Sequence, residues 1–502
     1  MPRTLRLALA AALLPALAAC HPRLVPGPAP AAAPSAERAL AAGLDSIFAD
    51  TAFAHAHWGV LVRSLDRGDV LYEREAGKLV VPASNMKIVT GAVALEALGP
   101  DYRFRTRVAS TGAARGGTLQ GDLVVTGGGD PTIAAHFTGG DSRAVFRAWA
   151  DSLRARRITR LSGSVVGVDD VFDDVPLGRG WAWDDLDASY SAEVSGLELN
   201  EGMATVRVAP GTTIGSPATV TVEPATAYLP VTNAATTGAP GSAATVEIGR
   251  PLQEAGIVVT GSIPSDTTGV SDEVAVRDNA LYFATVLRES LIAAGIRVDG
   301  TAEDADTRLV SIDTAALQPL FTHSSPPLRE VLAGFLKPSQ NQIGEMLLKT
   351  LGHELRGGPG SARSGAAVVD SVLRTWGLPS ARLLAQADGS GLSRYDLVAP
   401  ELLAGILAHM ARSPNWAVWY QDLPIAGVDG TLAARMKGTP LAGNVHAKTG
   451  TLTGVRSLSG YLTTAGGEHL VFSIIANNHT LSSRDVDRVA EAALLRAYTL
   501  RR

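Results

Sequence analysis

The chain predicts an α+β fold in which a domain of helices and strands is interrupted by a long β-rich insert. Three observations carry that prediction. Helical stretches with few breakers lie on both sides of the middle of the chain, and strand–turn–strand patterns precede and follow them. Between about Ala114 and Pro319 the sequence turns into short Val- and Thr-rich runs separated by Gly, Pro, Asn and Asp. The 502 residues, 46% hydrophobic and 19% charged, suffice for two or three domains with cores of their own. The net charge is −5 with no basic block, which argues against nucleic acid as a partner.

The first twenty residues read as an export signal. Arg3 and Arg6 give a basic start, and Leu7 to Ala19 is an apolar run too short to span a bilayer as a mature helix. It ends in Leu17-Ala18-Ala19-Cys20, which resembles a bacterial lipobox, and Cys20 is the chain's single cysteine. Lipidation of Cys20, and with it a membrane-anchored protein of the periplasm or cell envelope, is therefore expected. Residues 21–35, rich in Pro and Ala, read as a tether. The catalytic-type domain is expected over 36–113 and 320–502. The insert, expected over 114–319, would form one or two small β-rich subdomains.

Within that frame a helix begins near Ala36 and runs to Phe48. Trp58–Leu65 and Val70–Glu73 form a hairpin around Asp66-Arg-Gly68, and a helix from Pro82 to Leu98 is closed by Gly99-Pro100. The insert's strands are expected at 119–125, 163–168, 204–208, 218–222 and 244–248. Helix returns over Pro327–Leu351 and Leu402–Met410. Strands at 444–452, 458–462 and 470–476 precede a last helix over 482–499.

Three short motifs stand on these elements. Ser84-Asn-Met-Lys87 opens a helix, so Ser84 and Lys87 share one face a single turn apart. A serine hydroxyl is a poor nucleophile until a base takes its proton, and a neutral lysine at that spacing is such a base. Ser339-Gln-Asn341 precedes another helix, where the bland reading is an N-cap. Lys448-Thr-Gly450-Thr451 lies on a strand, and Gly450 in mid-strand implies close approach by a backbone or ligand. A chain this long holds roughly one Ser-x-x-Lys by chance, so no single motif decides the matter.

In this order, the three resemble the motif set of penicillin-recognising enzymes. Val81-Pro-Ala-Ser-Asn-Met-Lys, Gly121-Asp-Leu-Val-Val-Thr-Gly-Gly-Gly-Asp-Pro131, Asp388-Gly-Ser-Gly-Leu-Ser-Arg394 and His446-Ala-Lys-Thr-Gly-Thr-Leu452 extend the likeness. The chain resembles the low-molecular-mass D-alanyl-D-alanine carboxypeptidases/endopeptidases related to penicillin-binding protein 4. That resemblance implies a serine β-lactamase/transpeptidase-like domain, with an antiparallel sheet flanked by helices. It implies Ser84 as nucleophile, Lys87 as base, Ser339 as proton relay and Asn341 as the group orienting Lys87 and the substrate. Lys448, Thr449, Gly450 and Thr451 would bind the terminal carboxylate, with the N–H groups of Ser84 and Thr451 as oxyanion hole. Peptidoglycan stem peptides are the implied partners and β-lactams the implied covalent inhibitors. Gln340 stands where relatives often carry Asp, with its side chain expected to point away from the cleft.

Two alternatives are a β-lactamase or esterase and a non-catalytic wall-binding lipoprotein. A class A β-lactamase requires a water-activating glutamate on a loop beyond Ser-x-Asn, whereas Glu345 falls inside the same helix. No cofactor is expected. His55 and His57 lack a third metal ligand at useful spacing. Trp181 and Trp183 are expected in the insert's core, and Asp388-Gly-Ser-Gly391 as a structural turn.

Overall fold

The computed structural model describes residues 35–252 and 254–502. The expected export signal, Cys20 and the expected tether up to residue 34 lie outside the described residues.

Five antiparallel strands make the central sheet, in the spatial order Val70–Arg74, His57–Ser64, His469–Asn477, Val455–Thr463, His446–Leu452. Side chains alternate across it: Leu470, Phe472, Ile474 and Ala476 enter one apolar cluster, Val471 and Ile475 another. Both faces are covered, which is why the strand reads as an almost unbroken apolar run. Helices Ala36–Phe48 and Ser483–Tyr498 cover the first face through Leu40, Leu44, Phe48, Val486, Ala490 and Leu494. The second face receives Met86–Leu98 and Pro400–Met410, backed by Leu328–Leu336, Asn341–Arg356 and Ala362–Thr375. Met86–Leu98 is buried continuously from Met86 to Leu95, with Lys87 as the one charge in that stretch.

The insert is less purely β than expected, and its edges shift. Strand Arg105–Ser110 pairs with Leu123–Thr126 and with Gln318–Ser324, so the insert's principal sheet reaches back to Arg105 and forward to Ser324. That sheet runs Ala302–Asp304, Val165–Val168, Leu123–Thr126, Arg105–Ser110, Gln318–Ser324, with its first three strands parallel. Parallel strands need crossover connections. Helix Ala144–Ala155 supplies one between Leu123–Thr126 and Val165–Val168, and Asn279–Ala293 precedes Ala302–Asp304. Phe146, Trp149, Ala150 and Leu153 recur on one helical face of the former. The smaller sheets around Met203–Ala209 and Ile257–Thr260 share one apolar cluster with these helices.

The helix expected over Pro327–Leu351 breaks at Lys337–Gln340 into Leu328–Leu336 and Asn341–Arg356. Pro338 offers no N–H, and Ser339 takes a left-handed conformation (φ 70°). The buried ring of Phe335 sits just before the break. It lies against Gly91 of the Met86 helix and Gly344 of the Asn341 helix; a Cβ at those glycines would come within 3.2 and 2.9 Å of it. Phe335 thus sets the spacing between two motif-bearing helices. Phe335→Ala is expected to cost about 3–5 kcal/mol, read as a lowered midpoint of thermal or urea unfolding.

Candidate active site

Helix Met86–Leu98 is preceded by a 3₁₀ turn, Ala83–Asn85, that carries Ser84. Ala83 is left-handed (φ 48°), and strain of this kind persists where the surroundings over-determine it. Lys87 Nζ lies 3.0 Å from Ser84 Oγ, 2.6 Å from Asn341 Oδ1 and 2.8 Å from the Ser390 carbonyl. A neutral amine has two N–H bonds and one lone pair. Asn341 and Ser390 accept the two N–H bonds, which leaves the lone pair to the Ser84 hydroxyl.

Ser339 and Asn341 do not cap their helix. Gln340 does, its side-chain oxygen accepting the Gln342 N–H at 3.1 Å while its amide donates to Glu201 of the insert. Asn341 is thereby free to turn inward, donating to the Tyr190 carbonyl at 2.7 Å as it accepts from Lys87. Lys448 Nζ donates to Ser339 Oγ at 2.8 Å and to the Thr449 carbonyl at 2.9 Å. Lys448 is fully buried, so its contact is with Ser339 rather than with open cleft. Thr449 Oγ1 meets Thr431 Oγ1 at 2.7 Å, and the Thr451 hydroxyl accepts from Arg456, itself paired with Asp487. Gly450 is required by close approach, as its mid-strand position predicts: a Cβ there would lie 2.8 Å from the Pro82 carbonyl and 2.9 Å from the Ser84 nitrogen.

Burial pushes the Lys87 ammonium down from its ordinary 10.5 to about 7, against the opposing pull of Asp388, Glu345 and Asp396. Lys448 is pushed well below its ordinary value, first by burial and then by the charge of Lys87. Desolvation therefore frees Lys87 as a base near neutral pH, while desolvation and a like charge act together on Lys448.

Several supports lie outside the residues that define the three motifs. Asn85 donates to the Lys448 carbonyl at 2.9 Å and Ser457 to the Pro82 carbonyl at 2.7 Å, tying the nucleophile's turn to the Lys-Thr-Gly strand. The Asp388–Gly391 turn touches the reacting groups through the Ser390 carbonyl. Its shape is held by Asp388, which accepts from Gly391, Ser393 and Trp181 at 2.7, 2.6 and 3.0 Å. Glu345 accepts the N–H groups of Gly389 and Ser390 at 2.9 and 2.8 Å. Both its oxygens are thus engaged by the backbone of the turn. Burial, then the charge of Asp388, raises its carboxyl to about 8. A charge among the apolar positions of helix Asn341–Arg356 was the one sequence signal for it.

Ser84, Ser339, Asn341 and Thr451 line a cleft of about 700 Å³, with Lys87, Lys448 and Thr449 behind its wall. The insert supplies the facing side through Asp184, Asp185 and Tyr190, opposite Arg394. Trp183, expected in the core, is 71% exposed beside those aspartates, and Trp181 is half-buried. Among the described residues, Asp169, Asp170 and Asp306 approach closely enough to share a cation, but none lines this cleft.

A serine whose proton faces a buried neutral lysine, with a second serine and lysine on the cleft's other side, defines an acyl-transferase of the penicillin-recognising class. The chain belongs to the D-Ala-D-Ala carboxypeptidase 3 (S13) family, whose model matches residues 40–498. It is 37% identical over 449 residues to a D-alanyl-D-alanine carboxypeptidase of Actinomadura sp. (strain R39), covering 87% of this chain and 80% of the relative. Against D-alanyl-D-alanine carboxypeptidase DacB of Haemophilus influenzae it is 27% identical, covering 84% and 85%. The fold matches the crystal structure of penicillin binding protein 4 from H. influenzae with a TM-score of 0.77, at 24% identity, over 92% of this chain and 99% of that one.

Two outcomes follow from the geometry. Gly450→Ala drives a methyl into the backbone at Ser84 and is expected to slow acylation by about 100-fold or more, measured as the rate of fluorescent penicillin attachment. Lys87 must be uncharged to accept the proton and is mostly charged below about pH 7. The acylation rate should therefore fall about tenfold per pH unit below that value and level off above it, in a stopped-flow pH series.

Proposed function

We propose that this protein is a serine-type D-Ala-D-Ala carboxypeptidase that trims peptidoglycan stem peptides through an acyl-enzyme on Ser84. The observation that carries the reading is Lys87, stripped of water and held between Ser84, Asn341 and Ser390. Ser84 Oγ attacks the carbonyl between the two D-alanines as its proton passes to Lys87. The oxyanion forms where the N–H groups of Ser84 and Thr451 are available to it, each donor being worth about 3–4 kcal/mol in sites of this kind. The C–N bond then breaks, and the proton returns by way of Ser339 to the departing nitrogen. Water hydrolyses the ester that remains.

Strand His446–Leu452 supports the same reading, since it is the edge strand of the central sheet. An extended peptide can add to such an edge by main-chain hydrogen bonds. Thr451 stands exposed at the point where a terminal carboxylate would arrive. A β-lactam presents the same amide in a ring, so its leaving nitrogen stays tethered after attack and the ester persists. The H. influenzae penicillin binding protein 4 has been solved with a β-lactam. Fluorescent penicillin should label the wild type and fail to label Ser84→Ala. Equal labelling of the two would remove Ser84 from the role of nucleophile.

Export and anchoring belong to the same proposal. The basic start at Arg3 and Arg6, the apolar run to Ala19 and the single cysteine at position 20 support a periplasmic or envelope protein lipidated on Cys20. Cys20→Ser should move the protein from the membrane to the soluble fraction of an expressing cell. Unchanged partition would exclude the anchor.

A further inference from the structure

A chamber of about 730 Å³ lies apart from the catalytic cleft and shares no lining residue with it. It sits where the insert meets the catalytic body. Strand Arg105–Ser110 and the loop after Leu123–Thr126 form one wall, and helix Asn341–Arg356 forms another through His353 and Glu354. The head of that helix places Asn341 in the cleft. His353 lies about 18 Å further along its axis, at about 1.5 Å per residue.

The strand wall is built from cations. Phe104, Thr106 and Val108 are buried, so Arg103, Arg105 and Arg107 alternate outward onto one face, about 7 Å from one to the next. Guanidinium groups in such a row repel one another. Elsewhere in the insert Arg143, Arg160, Arg277 and Arg308 each meet a carboxylate. Among the described residues Arg105 and Arg107 make no side-chain hydrogen bond or ion pair, and Arg103 gives one N–H to the Ser325 carbonyl at 2.6 Å. The acids of the chamber do not answer them. Asp101 is held by Arg329, and Glu354 accepts from the Tyr102 hydroxyl at 2.8 Å. Asp170 is the chamber's remaining carboxylate, with neither kind of partner among the described residues. Gly127 and Gly128 leave the floor clear of side chains. Gly128 is required there, since a Cβ would lie 2.1 Å from the Arg105 carbonyl oxygen.

We propose that this chamber is a second, non-cleaving site for a peptidoglycan stem peptide, which holds the wall polymer to the enzyme while Ser84 works on a neighbouring stem. The inference rests on the peptide substrate proposed above for Ser84. A stem peptide exposes several carboxylates and, at its diamino acid, one side-chain ammonium. Three guanidiniums beside a single free carboxylate complement that pattern, and the planar fork of arginine grips a carboxylate through two parallel N–H bonds. A phosphodiester polymer would bring anions but no ammonium for Asp170. A polymer held at a second point has a raised effective concentration at the cleft, an advantage that a short free peptide cannot gain.

The test uses the full-length protein as wild type, Arg107→Ala and Arg107→Glu. Arg107 is exposed and far from the reacting groups, so folding should survive. The protein is first acylated with penicillin, which fills the cleft, and a stem tetrapeptide lacking the scissile bond is titrated in by calorimetry. Acylated wild type should bind it, Arg107→Glu should weaken binding by at least about tenfold, and Arg107→Ala should fall in between. In unacylated protein, Arg107→Glu should slow D-alanine release from dilute wall polymer by about fivefold or more. Release from a free pentapeptide and the rate of penicillin acylation should stay within about twofold. No binding to acylated wild type, equal binding by Arg107→Glu, or equal loss on polymer and free peptide would overturn the second site. Displacement of the tetrapeptide by an equal concentration of inorganic phosphate would give the chamber to phosphate and overturn the stem-peptide assignment. A wild type that penicillin does not acylate would instead overturn the reading of Ser84, and with it the ground for a stem peptide here.

Discussion

An amine kept without its proton inside the protein is the constraint on which the rest of this molecule depends. Lys87 has no exposed surface, and the cost of burying its charge is what makes it a base near neutrality. Burial alone would leave an undirected amine. Direction comes from three partners on three elements: Ser84 on the turn before its own helix, Asn341 at the head of another, and Ser390 in a distant turn. Each partner is held in turn, Asn341 by Tyr190 and Ser390 by Glu345. The charge of Asp388, the largest of the opposing influences, works against the desolvation, so the value near neutrality is a balance.

The scaffold explains how segments so far apart in the chain meet. The Met86 helix is apolar all round and can only be buried, which carries Lys87 into the core with it. Phe335 fixes the separation of that helix from the Asn341 helix, and Asn85 and Ser457 clamp the Ser84 turn onto the edge strand. The insert is more than a spacer. The Tyr190 carbonyl orients Asn341 and Glu201 holds Gln340, so one motif is shaped from both sides of the molecule.

Much of this was legible in the sequence. The helices 36–48, 86–98 and 483–498 and the three C-terminal strands follow from the apolar runs and the breakers that bound them. The three motifs announced the cleft because chemistry restricts which residue types can serve there. What escaped was of two kinds. The insert's parallel strands and crossover helices were hidden by the Val- and Thr-rich runs around them, although the spacing of Phe146, Trp149 and Leu153 already had the helical period. The backbone acceptors, above all Ser390, were illegible because a carbonyl group has no letter of its own. Ser339 and Asn341 have the composition of a helix cap, and only the geometry of Gln340 released them from it.

The central sheet joins strands from opposite ends of the polypeptide: His57–Ser64 lies against His469–Asn477, with the whole insert threaded between them. Ser84 and Lys87 are thus made well before the strand that bears Lys448. A chain still short of Lys448 therefore lacks one wall of the cleft. Order of synthesis thus separates the making of Ser84 and Lys87 from the closing of the space around them.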